Sequence, residues 1–326
     1  IHENTWHASP YFFTGLTMLA QLLRRVLLFQ VLVGALLAWA LVANRMVTPV
    51  FALAIPLLLP LATLALAVVW TCFASRAQEP WRRWWQALAG EIWAGVRTFV
   101  IRQHWTRGEP GVLDPHGDPH RVPVVLVHGF VCNHRIWDDL TGRLRAAGHT
   151  VYTVNLEPLF GSIDQYPPIV EAAVQTLCKH TGYSQVALVG HSMGGLAIRA
   201  WMREFGTGRV AKVITLGTPH QGTAAHVPMP TTNSLQMQWQ SAWLKELAAS
   251  ETADTRRLIR IAITPQDNIV YPQRAQTLEG IEPRVFEGIG HLQMCTNSQV
   301  IAWVVAELGD LTPTQTRDTD PLAGPI

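Results

Sequence analysis

Residues Ser184–Phe205 read SQVALVGHSMGGLAIRAWMREF, and the character of the chain changes in the middle of them. SQVALVG is a short apolar run closed by a glycine, which suits a buried strand; MGGLAIRAWMREF spaces its apolar residues at a helical period and predicts a helix from about 194 to 205. Between the two, Gly190-His191-Ser192-Met193-Gly194-Gly195 is a G-x-S-x-G turn. Glycines on both sides allow a strained strand-to-helix bend, which lifts a serine hydroxyl above the sheet with the amino end of the next helix aimed at it. A plain tight turn is the competing reading, and the strand-to-helix context weighs against it.

Working outward, four more runs have the same make-up: RVPVVLVHG (121–129), HTVYTVNL (149–156), VAKVITLG (210–217) and RLIRIAIT (257–264). None alternates polar with apolar residues, so both faces of their sheet should be covered. Helical stretches fall near 135–147, 165–181 and 194–205, and a last strand candidate, RVFEGIG (284–290), precedes a helix at 297–308. Strand and helix in alternation predict a mostly parallel sheet in an α/β sandwich.

A serine hydroxyl is a weak nucleophile, so Ser192 requires a base, an acid to orient that base, and donors for an oxyanion. His291, in GIGHLQM after the last strand, and Asp267, in TPQDNIV after RLIRIAIT, both fall at carboxyl ends of strands, where loops converge. The chain order Ser192, Asp267, His291 fits a doubly covered sheet of this kind. Asp254, Asp164 and Glu157 are alternatives for the acid, although none follows a late strand, and His291 could instead be one of 13 histidines with only a structural part. Backbone amides of Phe130, in HGFVCN, and of Met193 are the oxyanion donors expected, with His128 and Gly129 turning the first loop back towards the serine. Val131, His191, Trp239, Trp243 and Leu292 are candidates to contact substrate.

The set VLVHGF, GHSMGG, TLGTPHQGT, QDNIV and GIGHL resembles the bacterial lipase and esterase branch of the α/β-hydrolase superfamily over about residues 120–308. GHSMG and HGF are shared by many hydrolases, whereas TPHQGT narrows the resemblance towards lipases. It implies hydrolysis of acyl esters through an acyl-enzyme on Ser192, without an organic cofactor. Related lipases often hold a structural calcium, but its ligands have no residue-by-residue match here, and no metal is expected. The same triad also serves thioesterases, amidases and acyltransferases, and a hydrolase fold can persist as a non-catalytic scaffold.

Residues 233–249, NSLQMQWQSAWLKELAA, carry Leu235, Trp239, Trp243 and Leu247 at four-residue spacing. The spacing predicts one amphipathic helix, either a lid within a cap at 222–255 or a helix packed on the domain. DPHGDPH (114–120) has a metal-like composition, but its prolines and glycine favour a plain loop. Cys72, Cys132, Cys178 and Cys295 show no metal or redox spacing and read as free thiols, with a Cys132–Cys295 disulfide as the alternative.

Composition points to lipid. Hydrophobic residues make up 48% and charged residues 15% of 326, against roughly 25% charged in soluble domains. Residues 26–43 and 50–74 are uncharged and long enough to span a bilayer, with Arg45 and Pro49 in the connector and Pro56 and Pro60 expected to kink the second span. A buried core helix and a cleaved signal peptide are the rival readings. Arg24 and Arg25 before the hairpin, and Arg76, Arg82 and Arg83 after it, outweigh Arg45 in the turn, so positive flanks favour both ends in the cytoplasm of a bacterium, at its inner membrane; a periplasmic active site is the alternative. Six tryptophans between Trp70 and Trp105, interleaved with arginines, predict an interfacial helix at 80–104 or a helix packed on the core. The division expected is 1–79 with the two spans, 80–108 interfacial, 109–310 catalytic and 311–326 a tail. A net charge of +2 without basic runs excludes nucleic acid as a partner; acyl esters and membrane lipids remain. The sequence therefore reads as a membrane-anchored serine hydrolase of carboxylic esters, a lipase, esterase or phospholipase.

Overall fold

The computed structural model describes residues 17–104, 111–113, 117–226 and 230–311. Trp105, the boundary Gly108–Pro110, Asp114–His116 of the metal-like loop and the tail from 312 onwards lie outside these described residues. The chain opens with α1 (Met18–Ala43), α2 (Pro49–Ala52), α3 (Ile55–Ala74) and α4 (Trp81–Gly95), the last running into a π-helical stretch at Val96–Arg102. There follow β1 (Val112–Leu113), β2 (Val124–Val127), α5 (Asp138–Ala146), β3 (Val151–Thr153), α6 (Pro167–Thr181), β4 (Val186–His191), α7 (Met193–Phe205) and β5 (Val210–Leu216). Three short helices, α8 (Thr232–Gln236), α9 (Ala242–Ala249) and α10 (Ala253–Arg257), precede β6 (Ile259–Ile263), β7 (Arg284–Val285) and α11 (Ser298–Gly309).

The strands form one sheet in the order β1-β3-β2-β4-β5-β6-β7, with β1 antiparallel and every other pairing parallel. β2 and β4 lie inside the sheet, and every one of their residues is buried. Alternate residues enter opposite layers. Val125, Val127 and Leu188 join the core beneath α6 and α7, while Val124, Leu126, Ala187 and Val189 join the one beneath α5 and α11. Each such side chain contributes roughly 1.5–3 kcal/mol on leaving water, which accounts for the continuous apolar runs in the sequence.

Two expectations are corrected. Pro56 stands at the first turn of α3, where its missing N–H costs nothing, so only Pro60 lies inside that helix. Residues 233–249 do not form one helix. The Thr231 cap starts α8, which ends at Gln236; Thr223 then takes over the backbone, its amide donating to Met237 O (2.8 Å) and its carbonyl accepting from the Trp239 amide (3.0 Å). Gln240 turns at φ 52° and the Ser241 hydroxyl caps α9, so the four-residue stripe is split: Leu247 is buried and Leu235 is exposed. The four cysteines are free, as their spacing suggests, which sets aside the alternative of a Cys132–Cys295 disulfide.

α1 and α3 are each long and apolar enough to cross a membrane, and only 11% and 17% of their most apolar windows are buried. They meet closely, for a Cβ on Gly34 would fall 2.6 Å from the Pro56 Cα. α4 is two-faced: Trp84, Ala87, Glu91 and Ala94 are buried, whereas Trp81, Trp85 and Trp93 are exposed.

Candidate active site

Ser192 stands between β4 and α7 at φ 54°, ψ −126°, a left-handed backbone that an L-residue holds only under constraint. Its amide donates to the Leu216 carbonyl at 2.9 Å. The glycines around it are dictated by contact as well as by turn geometry. A Cβ on Gly190 would fall 2.6 Å from the Gly195 amide nitrogen, and one on Gly194 2.1 Å from the Val127 carbonyl oxygen, backbone against backbone in both cases. The hydroxyl does not turn back to cap α7, and it has no hydrogen-bond partner among the described residues.

The loop after β6 carries Asp267. Its Oδ1 accepts the amides of Ile269 (2.9 Å) and Val270 (2.7 Å), which leaves Oδ2 for the Nδ1 of His291 at 2.8 Å. His291 is held at its own backbone too. Its amide donates to Asn268 Oδ1 at 3.2 Å, and its carbonyl lies 3.1 Å from the Nε2 of His191. Burial pulls the His291 imidazole down, but the charge and hydrogen bond of Asp267, with the charge of Glu91, outweigh that and leave its pKa above the ordinary histidine value. With Nδ1 committed to the carboxylate, Nε2 is the nitrogen left for chemistry. The two loops and the serine share neighbours: the His191 and His291 rings lie 4.6 Å apart, and a Cβ on Gly217 would come within 3.3 Å of both Asp267 Oδ2 and His291 Nδ1.

Opposite these lies the loop after β2. Gly129 abuts Ser192, a Cβ there falling 2.8 Å from the serine Cβ. His128 fixes the turn, its Nδ1 donating to the Gly129 carbonyl (2.9 Å) and its Nε2 accepting the Leu156 amide (2.9 Å), so the ring is neutral; burial lowers its pKa to about 4. Val131 has φ 51°, a costly conformation for a β-branched side chain. Two strained residues thus flank one point, at Ser192 and Val131.

The other candidates are distributed as follows. Phe130 packs edge-on against Phe160 at 5.9 Å, and the Met193 amide opens α7, where the first N–H groups have no helical partner. His191 is buried between Trp137 and His291, so it backs the His291 ring and presents no open surface. Trp243 donates to both carboxylate oxygens of Asp164 and packs against the core, and Trp239 sits on the strand-like turn beside Thr223. Leu292 follows His291 and gives its amide to Glu91 at 2.9 Å. Asp164 also pairs with Arg203, Glu157 accepts the Met18 amide, and Asp254 pairs with Arg257 on the surface; none of the three approaches His291. Within 222–255, the Gly222 carbonyl accepts from Gln276, Asn233 donates to the Leu159 carbonyl, and Glu251 forms a buried pair with Arg199, so these described residues are held against the rest of the domain.

Residues 122–260 match the profile of a family described as the α/β hydrolase fold. The chain has the α/β-hydrolase fold. A triacylglycerol lipase of Pseudarthrobacter phenanthrenivorans is 36% identical over 112 residues, covering 32% of this chain and 34% of that lipase. A triacylglycerol lipase of Burkholderia plantarii matches at 36% over 112 residues, 32% of this chain and 31% of its own. The match thus spans about a third of the length of these curated relatives. Among solved structures, the mature lipase of Bacillus licheniformis superposes with a TM-score of 0.53 at 18% identity, over 62% of this chain and 99% of that one. Lipase B of Aspergillus fumigatus gives 0.54 at 16% identity, over 63% and 57%. At such identities the likeness concerns the hydrolase fold alone.

Proposed function

We propose that this hydrolase cleaves carboxylic esters with apolar acyl chains, through an acyl-enzyme on Ser192, while held at a membrane by α1 and α3. The observation that carries the reading is the Asp267–His291 pair at 2.8 Å, with Oδ1 already saturated, in one site with a serine on a strained bend. In that arrangement the His291 Nε2 takes the Ser192 proton as Oγ attacks the ester carbonyl, after a rotation of the hydroxyl towards the ring. Asp267 orients the imidazole and balances the imidazolium. The Phe130 and Met193 amides receive the oxyanion, the imidazolium returns its proton to the leaving alkoxide, and water then releases the acid by the same route in reverse.

Two further observations bear on the substrate. The named relatives are triacylglycerol lipases, and the helices beside the site carry a broad exposed apolar surface, including Phe29, Leu32, Leu36, Leu57 and Leu66. A bilayer delivers long-chain acyl esters to such an enzyme, which favours glycerolipid or phospholipid substrates over small soluble esters.

The test uses full-length protein in detergent with a chromogenic long-chain ester and a fluorophosphonate probe. Wild type should turn over the ester and be labelled at Ser192; Ser192→Ala should lose both while keeping its fold. Retained turnover in Ser192→Ala rejects the reading. Matched thioester and amide substrates, released more slowly than the ester, would complete the assignment to ester hydrolysis.

A further inference from the structure

The loop that carries His291 is built partly from α4, which lies outside residues 122–260. Glu91 is 1% exposed, and its two carboxylate oxygens accept separate backbone amides, Oε1 from Leu292 at 2.9 Å and Oε2 from Gln293 at 3.1 Å. Those are the two residues that follow the base. The residue before it is held as well, for the Gly290 amide donates to Gln293 Oε1 at 3.0 Å. There is no slack in the contact: a Cβ on Gly290 would fall 2.4 Å from Glu91 Oε2, and one on Gly90 2.0 Å from Gln293 Nε2. Neutral side chains cap turns without the desolvation cost of a buried carboxylate, so the charge itself calls for a use. A positive charge forms beside it whenever His291 takes a proton.

We propose that Glu91 is a positioning residue for His291: from α4 it fixes the turn that aims the imidazole, and its carboxylate joins Asp267 in stabilising the imidazolium formed as Ser192 is deprotonated. This rests on the serine-hydrolase reading above. The groups facing His291 are Asp267, Glu91 and the neutral His191 ring, while those facing Glu91 are His291, Asp267 and the thiols of Cys72, Cys132 and Cys295. Burial pushes the Glu91 carboxyl up to about 7, against the pull of its two amides and of His291, so its charge is gained and lost within the range in which the base itself titrates.

The experiment compares wild type with Glu91→Gln, which keeps the shape and one acceptor but not the charge. Kinetics with a chromogenic ester are followed from about pH 5 to 9. Glu91→Gln should lower kcat roughly 10- to 100-fold with KM changed less than about threefold, and should move the acid limb of kcat/KM to lower pH, because a carboxylate that favours the imidazolium has gone. An unchanged kcat overturns the proposal. So does a reduced kcat with an unmoved acid limb, which would make Glu91 a packing residue only. Should Glu91→Gln fail to fold, the wild type decides: the ring resonances of labelled His291 should titrate in two coupled steps, and a single step overturns the idea. Fluorophosphonate labelling separates this from the larger reading. Ser192 labelled in wild type, with wild-type kinetics in Glu91→Gln, sinks only the role of Glu91; Ser192 unlabelled in wild type sinks the hydrolase mechanism.

Discussion

Among single residues, His291 and His128 show how burial and partners set charge around Ser192. Because the His291 pKa is raised, the imidazolium persists to higher pH than for a free histidine; if, as proposed, the neutral ring is the base, kcat/KM should rise with pH through a point above 6.5. Asp267→Asn removes the main group that raises it, so the acid limb should move down in pH while kcat falls about 10⁴-fold, as the wrong ring nitrogen comes to face Ser192. A pH profile of ester turnover checks both, and an unmoved limb would contradict the pairing. His128 runs the other way. Its folded pKa of about 4 against an ordinary 6.5 means that the unfolded chain binds the proton first, so stability of about 3 kcal/mol present above pH 6.5 is lost as the pH falls towards 4. The His128 ring resonance should stay neutral to near pH 4; a midpoint near 6.5 would refute the buried, doubly bonded ring. These residues could be picked out in the sequence because each lies in the loop that follows a strand, with its own local motif: His128 directly after β2, Asp267 and His291 four and six residues beyond β6 and β7. Glu91 was not, since its partner amides lie 201 and 202 residues away. A faint signal existed: it is the single acid in WRRWWQALAGEIWAG, on the stripe with Trp84, Ala87 and Ala94 that helical spacing turns to one side.

At the level of elements, two glycines of similar local appearance should respond with opposite signs. Gly194 opens α7, and an added Cβ would strike the carbonyl oxygens of Val127 (2.1 Å) and His128 (2.6 Å), neither of which can rotate away. Gly194→Ala should therefore cost about 3 kcal/mol, near the upper end of ordinary overpacking, and displace the oxyanion loop along with it. Gly142, in the exposed middle of α5, meets nothing within 4 Å. Gly142→Ala should stabilise by roughly 0.5–1 kcal/mol through helix propensity. Thermal unfolding with ester turnover distinguishes them, and equal effects would mean that packing at the bend is looser than the contacts imply. The strands and helices about this bend could be read from periodicity because long apolar runs leave few options. The break of 233–249 into α8 and α9 could not, since the competing partner for its backbone, Thr223, comes from a turn ten residues upstream of Asn233. Periodicity reports what a segment would do alone, and here a tertiary bridge outbid it.

Across the whole molecule, the loops of the site are tied to the amino-terminal helices. Gln103 holds the amide (2.6 Å) and side chain (3.2 Å) of Asn133 after the Phe130 turn. Thr71 and the Ser75 carbonyl hold Asn268 and Gln273 of the acid loop at 2.9 Å each, and Glu91 holds the base loop. A segment so coupled to the chemistry has to sit where the substrate is, and its solvent-facing surface says where that is. Leu28, Phe29, Leu32, Leu36, Trp39, Leu57, Leu66 and Trp70 are each more than half exposed, forming an apolar surface of a kind that monomers in water keep small. Lipid removes that cost, while Trp81, Trp85 and Trp93 on the open face of α4 suit the headgroup layer. The protein should accordingly stay with the membrane through an alkaline carbonate wash and leave only with detergent. On the proposed membrane reading, the balance of positive charge predicts the direction, since Arg24, Arg25, Arg76, Arg82 and Arg83 flank the hairpin and Arg45 alone occupies its turn. A thiol introduced by Met46→Cys, at an exposed position in that turn, should react with an impermeant maleimide added to intact cells whose outer barrier has been opened. The wild type supplies the blank, because Cys72, Cys132 and Cys295 are buried and the predicted orientation puts Cys178, after the hairpin, on the other side of the membrane from Met46. Labelling only after the inner membrane is broken would reverse the orientation and put the ester site outside the cytoplasm; recovery in the wash supernatant would remove the bilayer from the account altogether.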